Sequence, residues 1–465
     1  MLSILLSLCL AQDSGATAPP NFVLILADDL GAHDTGFSGA SFYETPHLDA
    51  LAAQAMVFRR AYTCGPNCAP TRACLMTGMY TPRHHIYTPG GRSKGSIENM
   101  RLLVPTLKGP KVDFPPSVVE LSPDMVSLAE VLKSRDYVTA RLGKWHLGED
   151  FQGFDLSSTN GEPGATKKFY GNINVAEKLT DAALAFLDEH RSRPFFLLLT
   201  HWDVHTPIRA RRDVVKKYKE KKALVGGDGN PQYAGMIEAV DTSVGRVHAK
   251  LRELGLEDNT LLIFSSDNGG LPSVSTNRPL RAGKGSLFEG GIRVPTFAYW
   301  AGSVPPGTCD TPITSVDFLP TFAALSGAEL PAAQPVDGVS IERLLVGDEI
   351  EERSIYWFFP LYLSGGANNR PLPILGTQRP FWRGVPAAAV VRGRWKLLWL
   401  FEDDSLQLYD VENDIGETTP LQGEHPEIAA SLHDDLKQWL EETKAPIPTA
   451  LNPAFGPGAD EDEDG

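Results

Sequence analysis

The residues of this 465-residue chain that could do chemistry lie in short, well-separated blocks. Cys68-Ala-Pro70-Thr-Arg72 sets a thiol and a guanidinium four positions apart, so both face one pocket if the stretch is helical. A Cys/Pro/Arg cluster is more often a loop around a buried thiol. A tyrosine-phosphatase loop needs a longer spacing than the three residues found here between Cys and Arg. Asp28-Asp29 and Asp267-Asn268 each follow an apolar run. Alone, such pairs are turn formers; brought to one edge, three carboxylates and an amide make a hard-oxygen site for Ca2+ or Mg2+. Lys144 and His146 alternate by two in Gly143-Lys144-Trp145-His146-Leu147-Gly148 and share a side if the chain there is extended. His205 follows another apolar run. Lys284 stands between Gly283 and Gly285, which let the backbone approach a ligand closely.

Positioning these residues requires a sheet. Residues 21–27, 137–142, 194–200 and 260–265 are apolar on both faces, as in parallel strands covered by helices. Helical patterns at 46–53, 125–135, 174–191 and 234–254 alternate with them, which predicts a doubly wound α/β domain. In such sheets ligands bind beyond the carboxyl ends of the strands, where Asp28, Lys144, His205 and Asp267 fall. Near residue 350 the character changes. Strands at 390–399 and 406–409, joined by the polar turn 402–405, and a helix at 426–443 predict a smaller α+β unit. The expected organisation is a signal peptide at 1–11, a catalytic domain at 21–349, a C-terminal unit at 350–455 and a disordered acidic tail at 456–465.

A formal charge of -15 argues against nucleic-acid binding, although a local cation cluster can still receive an anion. The apolar start, MLSILLSLCLA, is too short to span a bilayer and reads as a secretory signal cut near Ala11. No other run suggests an integral membrane segment, so the expected location is periplasmic or secreted. Five cysteines (Cys9, Cys64, Cys68, Cys74 and Cys309) are not a disulfide framework. The paired spacing of a zinc site is absent. A Cys64–Cys74 disulfide stays open.

Cys68-Ala-Pro70-Thr-Arg72-Ala-Cys-Leu75-Met76-Thr77-Gly78 resembles the signature of the type I sulfatases, C-x-P-x-R followed by x-x-x-L-T-G, with Met76 where Leu is usual. The Lys144 block resembles that family's G-K-W-H-L-G segment, and His205-Thr-Pro207 its H-T-P position. Residues 280–295 resemble its second signature. Thr45-Pro46-His47-Leu48-Asp49, with His47 where Asn is common, and Asp317-Phe-Leu-Pro320-Thr321 agree in order. The resemblance is to enzymes of the arylsulfatase and N-acetylgalactosamine-6-sulfatase kind. It covers 21–345, with weaker echoes at Arg394-Trp-Lys-Leu and Leu408-Tyr409-Asp410.

The resemblance implies an alkaline-phosphatase-like fold: a large mixed, mostly parallel sheet sandwiched by helices, with a C-terminal antiparallel sheet. It implies that a formylglycine-generating enzyme oxidises Cys68 to Cα-formylglycine. The hydrated aldehyde then offers one hydroxyl to attack sulfur and a second to expel the bound sulfate. It implies Asp28, Asp29, Asp267, Asn268 and an oxygen of the modified Cys68 as ligands of a cation, usually Ca2+, with Mg2+ as the alternative. Arg72 would hold the hydrate, Lys144 the sulfate, and His146 a formylglycine hydroxyl. His205 would face the leaving oxygen, Lys284 would bridge sulfate and leaving group, and Asp267 would help deprotonate the nucleophile.

The expected substrate is a sulfate monoester, in the first place of a carbohydrate. Residues 91–116 and 364–386 are polar and basic (Asn368, Asn369, Arg370, Gln378, Arg379, Trp382, Arg383) and could line sugar subsites. One rival is a phosphodiesterase or phosphonate hydrolase of the same superfamily. Its two-metal members need further His or Asp ligands where Lys144, His146 and Lys284 stand. The other rival, an inactive sulfated-glycan-binding protein, predicts a broken catalytic set, yet each position is filled.

Overall fold

The first strand, Asn21–Ala27, divides two cores. Phe22, Leu24 and Leu26 pack with Leu75, Leu128, Leu319 and Phe322, while Val23, Ile25 and Ala27 pack with Leu48, Leu179, Tyr233 and Val240. A strand buried on both faces has no polar side to show, hence its continuous apolar run. The computed structural model describes residues 18–106, 117–149, 151–365 and 382–456. The expected signal peptide, residues 457–465 of the acidic tail, and residues 107–116 and 366–381 of the two polar segments lie outside them.

Among the described residues, eight strands form the main sheet, in the spatial order 156–158, 138–143, 195–200, 21–27, 260–266, 296–299, 56–58, 307–309. All neighbours run parallel except 296–299, which is antiparallel to both of its own. Helices 46–52, 175–190 and 231–253 cover one face; 68–77, 128–133 and 318–326 cover the other. Cap chemistry sets two helix starts that apolar periodicity places elsewhere. Asn230 accepts from the N–H groups of Gln232 and Tyr233 with Pro231 at the first position, so that helix begins at Pro231. The reciprocal Ser127–Glu130 box starts the next at Leu128.

The C-terminal sheet is four-stranded and antiparallel, Ser354–Phe359, Ala387–Arg392, Trp395–Leu400 and Ser405–Asp410 in order, with helix Pro426–Glu442 packed on it. The single strand expected at 390–399 is therefore two. The chain folds back at Gly393 (φ 53°), pairing Arg392 with Trp395; both arms are apolar, so composition hides the turn. Trp357, Tyr409 and Trp439 of this unit share one core with Tyr62, Tyr80 and Phe288. Among the described residues, no helix is long and apolar enough to cross a membrane.

Four neighbouring strands end level. Gly143 pairs with Thr200, Leu26 with Thr200, and Ala27 with Ser266. The next residues along each chain are Lys144, His201, Asp28 and Asp267.

Candidate active site

Beyond that edge the polar blocks converge. Asp28, Asp29, Cys68, Arg72, Lys144, Asp267, Asn268 and Lys284 are all buried, and His146 and His205 are half-buried. Gly143 makes one approach feasible: at φ 107° a Cβ there would stand 1.7 Å from the Thr200 carbonyl oxygen. The Lys144 N–H then donates to that oxygen at 2.9 Å. Helix Cys68–Thr77 starts at Cys68, which puts Arg72 one turn on. Arg72 Nε and Nη2 lie 2.9 and 2.7 Å from Asp267 Oδ2, and Nη1 donates to the Lys144 carbonyl.

Each inner cation has its own carboxylate. Arg72 holds Asp267, Lys144 Nζ lies 2.6 Å from Asp28 Oδ2, and Lys284 Nζ lies 2.6 Å from Asp29 Oδ1. Lys284 also donates to Cys68 Sγ at 3.3 Å. The thiol lies 3.5 Å from Asp28 Oδ1 and 3.8 Å from Asp29 Oδ1. His205 Nε2 stands 3.7 Å from Asp29 Oδ2.

Burial and the Asp267 charge push the Cys68 thiol up to about 12, despite Lys144 and Lys284. It is protonated at neutral pH and no thiolate nucleophile. Burial raises Asp267, but Arg72 and Lys144 outweigh it and hold the carboxyl below its usual range. Asp29 is likewise depressed, burial being overcome by Lys284 and His205. Asp28 goes the other way, because burial exceeds the pull of Lys144. Burial opposes the charge on Lys144 and Lys284, yet Asp28 and Asp29 respectively keep both ammonium groups above their usual range.

The donor set suits a hard cation. Ligand atoms of Asp28, Asp29, Cys68 and His205 lie within 4.8 Å of one another. Asp29 Oδ2 and Asn268 Oδ1 are buried without a hydrogen-bond partner, an arrangement that is costly unless something binds there. Asn268 Nδ2 donates to Asp29 Oδ1 at 2.8 Å. Asp267 stands beside this set: Oδ1 accepts from the Asp29 N–H at 3.2 Å, and Oδ2 is taken by Arg72.

One expectation needs correction, and one open question is answered. The extended geometry predicted at 144–146 fails because His146 is left-handed at φ 69°, a costly conformation for a side-chain-bearing residue. Its Nδ1 is buried without a partner, and burial with the charges of Lys144 and Arg72 lowers the ring to about 2. Cys64 and Cys74, left open as a disulfide, are free thiols, set 3.0 Å from Thr314 Oγ1 and 3.3 Å from His84 Nε2. Sequence reasoning also missed Tyr170. Its ring lies 4.5 Å from that of His205 and 5.4 Å from Lys144 Nζ. No sequence pattern marks that tyrosine.

The Sulfatase family model matches residues 20–328, the span that holds every side chain of this pocket. The chain belongs to the sulfatase family. A sulfatase of Formosa agariphila is 30% identical, spanning 93% of this chain and 90% of the relative. The N-acetylgalactosamine-6-sulfatase of Sus scrofa is 29% identical over 90% of this chain and 80% of its own. The crystal structure of Ps i-CgsB in complex with k-i-k-neocarrahexaose is similar at a TM-score of 0.71 and 28% identity, covering 92% of this chain and 94% of that one.

This sulfatase is thus a sulfuric ester hydrolase with the alkaline-phosphatase-like architecture expected from its sequence. Not every residue of its second signature block enters the pocket. Glu289 of the sulfatase accepts instead from Lys396 Nζ at 2.9 Å and from Tyr62 Oη at 3.0 Å, with Arg293 Nη1 at 3.3 Å. Glu417 closes the group, 2.8 Å from Lys396 Nζ and 2.7 Å from the Glu289 N–H. The loop that carries Lys284 is thereby tied to the C-terminal sheet.

Proposed function

We propose that this sulfatase hydrolyses sulfate monoesters of carbohydrates through a formylglycine made from Cys68, with Ca2+ as its cation. One observation carries the reading. Cys68 Sγ sits where Asp28, Asp29 and Lys284 converge, yet it is held as an unreactive thiol. A nucleophile position that its own environment silences calls for chemical conversion. The names of the relatives, one acting on N-acetylgalactosamine 6-sulfate and one bound to a neocarrahexaose, support a sugar substrate.

As a hydrated aldehyde, residue 68 would supply one hydroxyl to attack sulfur and a second to expel sulfate. The cation, held by Asp28, Asp29, Asp267, Asn268 and an oxygen of the converted residue 68, would polarise a sulfate oxygen when bound. Asp267, kept ionised, accepts the proton of the attacking hydroxyl. Arg72 orients that hydroxyl, and Lys144 and Lys284, both kept charged, bind sulfate oxygens. His205 Nδ1 donates to the Thr206 carbonyl at 2.6 Å, so Nε2 can give a proton to the leaving alcohol only from the imidazolium form. His146 and Arg72 assist the second hydroxyl as C–O cleavage releases inorganic sulfate. In this reading 21–349 is the catalytic domain and 350–455 a subdomain that braces the Lys284 loop, and the enzyme works outside the cytoplasm, in periplasm or medium.

The test is co-expression with a formylglycine-generating enzyme. An aryl sulfate and sulfated mono- and oligosaccharides are then offered, while the Cys68 peptide is weighed. Sulfate release from a sugar, with residue 68 converted, is the expected result. Full conversion without release from any ester would reject the sulfate-ester substrate and turn the search to phosphoesters and phosphonates.

A further inference from the structure

Described residues of the two polar segments singled out in the sequence, 91–116 and 364–386, meet beside Lys284. The Lys94 N–H donates to the Tyr362 carbonyl at 2.9 Å, and Lys94 O accepts from the Ser364 N–H at 2.8 Å. Leu363 pairs in turn with Gly384. Gly95 seats the Trp382 ring; a Cβ there would come within 2.3 Å of it. Arg383 lies across Gly285, the residue after Lys284, so closely that a Cβ at Gly285 would stand 2.9 Å from Arg383 Nε.

These two cations differ from the inner three. Arg72, Lys144 and Lys284 each hold a carboxylate within 2.9 Å. Lys94 and Arg383 hold none among the described residues, and Arg383 Nε is buried with no hydrogen-bond partner. An exposed lysine alone would be plain surface. A buried, unpaired guanidinium nitrogen beside it is not, since desolvated charge without a counter-charge is destabilising. Lys94 lies in the field of Arg383 and Lys284, and Arg383 in that of Asp29. Partial burial of the two side chains draws both below their usual range.

We propose that Lys94 and Arg383 form a second anion subsite at the mouth of the pocket, which binds a further sulfate or carboxylate on the sugar whose sulfate ester is cleaved. The proposal rests on the carbohydrate reading above. It implies a substrate carrying at least two anionic groups close together. The planar fork of Arg383 suits either oxyanion in bidentate fashion, and Lys94 adds a point charge.

Binding tests it without turnover. Protein made without the formylglycine-generating enzyme is titrated calorimetrically with three ligands: a monosulfated monosaccharide, the same sugar with a second sulfate, and the same sugar with a carboxylate. One of the doubly charged sugars is expected to bind about tenfold or more tighter than the monosulfated one, as a charge-assisted contact would give. Which of them does so identifies the anion. Arg383→Gln and Lys94→Gln should each reduce that preference, and the double variant should abolish it; Arg383→Lys should restore part of it. Lys94 is exposed, so its variant cannot be confused with misfolding. Equal affinity for all three sugars, or a preference that survives the double variant, overturns the subsite. Because sulfate release is not read, this result can fail while the sulfatase assay succeeds, and the reverse.

Discussion

Two groups of buried charge each take residues from the 280–293 loop, and they are built differently. In the group formed by Glu289, Glu417, Lys396 and Arg293, each carboxylate meets a cation, and a backbone N–H and a tyrosine hydroxyl complete the set. Its ion pairs close on one another, although Glu417 Oε1, 2.8 Å from Lys396 Nζ, accepts no aligned hydrogen bond. In the pocket, three cations also face three carboxylates, yet Asp29 Oδ2 and Asn268 Oδ1 remain buried and unpaired, as does His146 Nδ1. The orphan oxygen of the structural group still has an ammonium beside it, whereas the pocket leaves Asn268 Oδ1 and His146 Nδ1 with no polar partner. Deep burial of Lys and Asp thus does not by itself mark a functional site; several unpaired atoms gathered in one pocket are the stronger sign.

The largest effect that would sharpen this contrast is at Cys68. Cys68→Ala should cost roughly three orders of magnitude or more in sulfate release while the folded protein persists. Full activity in that variant would remove residue 68 from the chemistry and leave the pocket without a nucleophile.

The structural group should behave in the opposite way. Lys396→Met leaves Glu289 and Glu417 facing each other without their shared cation, and breaking such a buried pair typically costs about 3–5 kcal/mol. Denaturant unfolding should show that loss, with sulfate release falling as well because the Lys284 loop is no longer braced. Unchanged stability would mean that the C-terminal sheet does not hold the loop through Lys396.

A cation should act on one group only. Millimolar Ca2+ should raise the melting temperature, by as much as about 2.7 kcal/mol of added stability at a hundred times its dissociation constant, and chelation should reverse it. Asp29→Asn should remove the response, since the orphan oxygen belongs to that carboxylate, whereas Lys396→Met should keep it. A calcium response that survives Asp29→Asn would move the cation elsewhere.

How far these groups could be read from sequence follows from their physics. The central strands stand within a residue of where their apolar runs put them, because burial on both faces leaves no other composition. The residues after them, Asp28, Lys144 and Asp267, were visible as polar punctuation at strand ends. His146 was misplaced because a left-handed φ at a histidine has no sequence signature. The hairpin at Gly393 was hidden by two apolar arms. Tyr170, Arg383 and Lys94 were out of reach as a set, since what joins them to the pocket is contact between segments far apart in the chain. Glu289 was visible as part of a signature, but its partner Lys396 lies 107 residues on, so a structural residue and a pocket residue looked alike.

The smallest effect separates the groups by pH. Burial, with the Glu289 charge, raises Glu417 from 4.5 to about 7 against the pull of Lys396. A raised carboxyl in the folded state contributes stability that is full below pH 4.5 and lost as the pH rises through about 7. Glu289 is shifted the other way, Lys396 and Arg293 overcoming burial, so its contribution is present above pH 4.5 and lost only as the pH falls below that. The window from pH 5 to 7 therefore belongs to Glu417 within this group. Stability measured across it should decline more steeply in the parent protein than in Glu417→Gln, which has no proton to release. Parallel slopes would place the Glu417 proton in the ordinary carboxylate range and make the group a simple salt-bridged cluster.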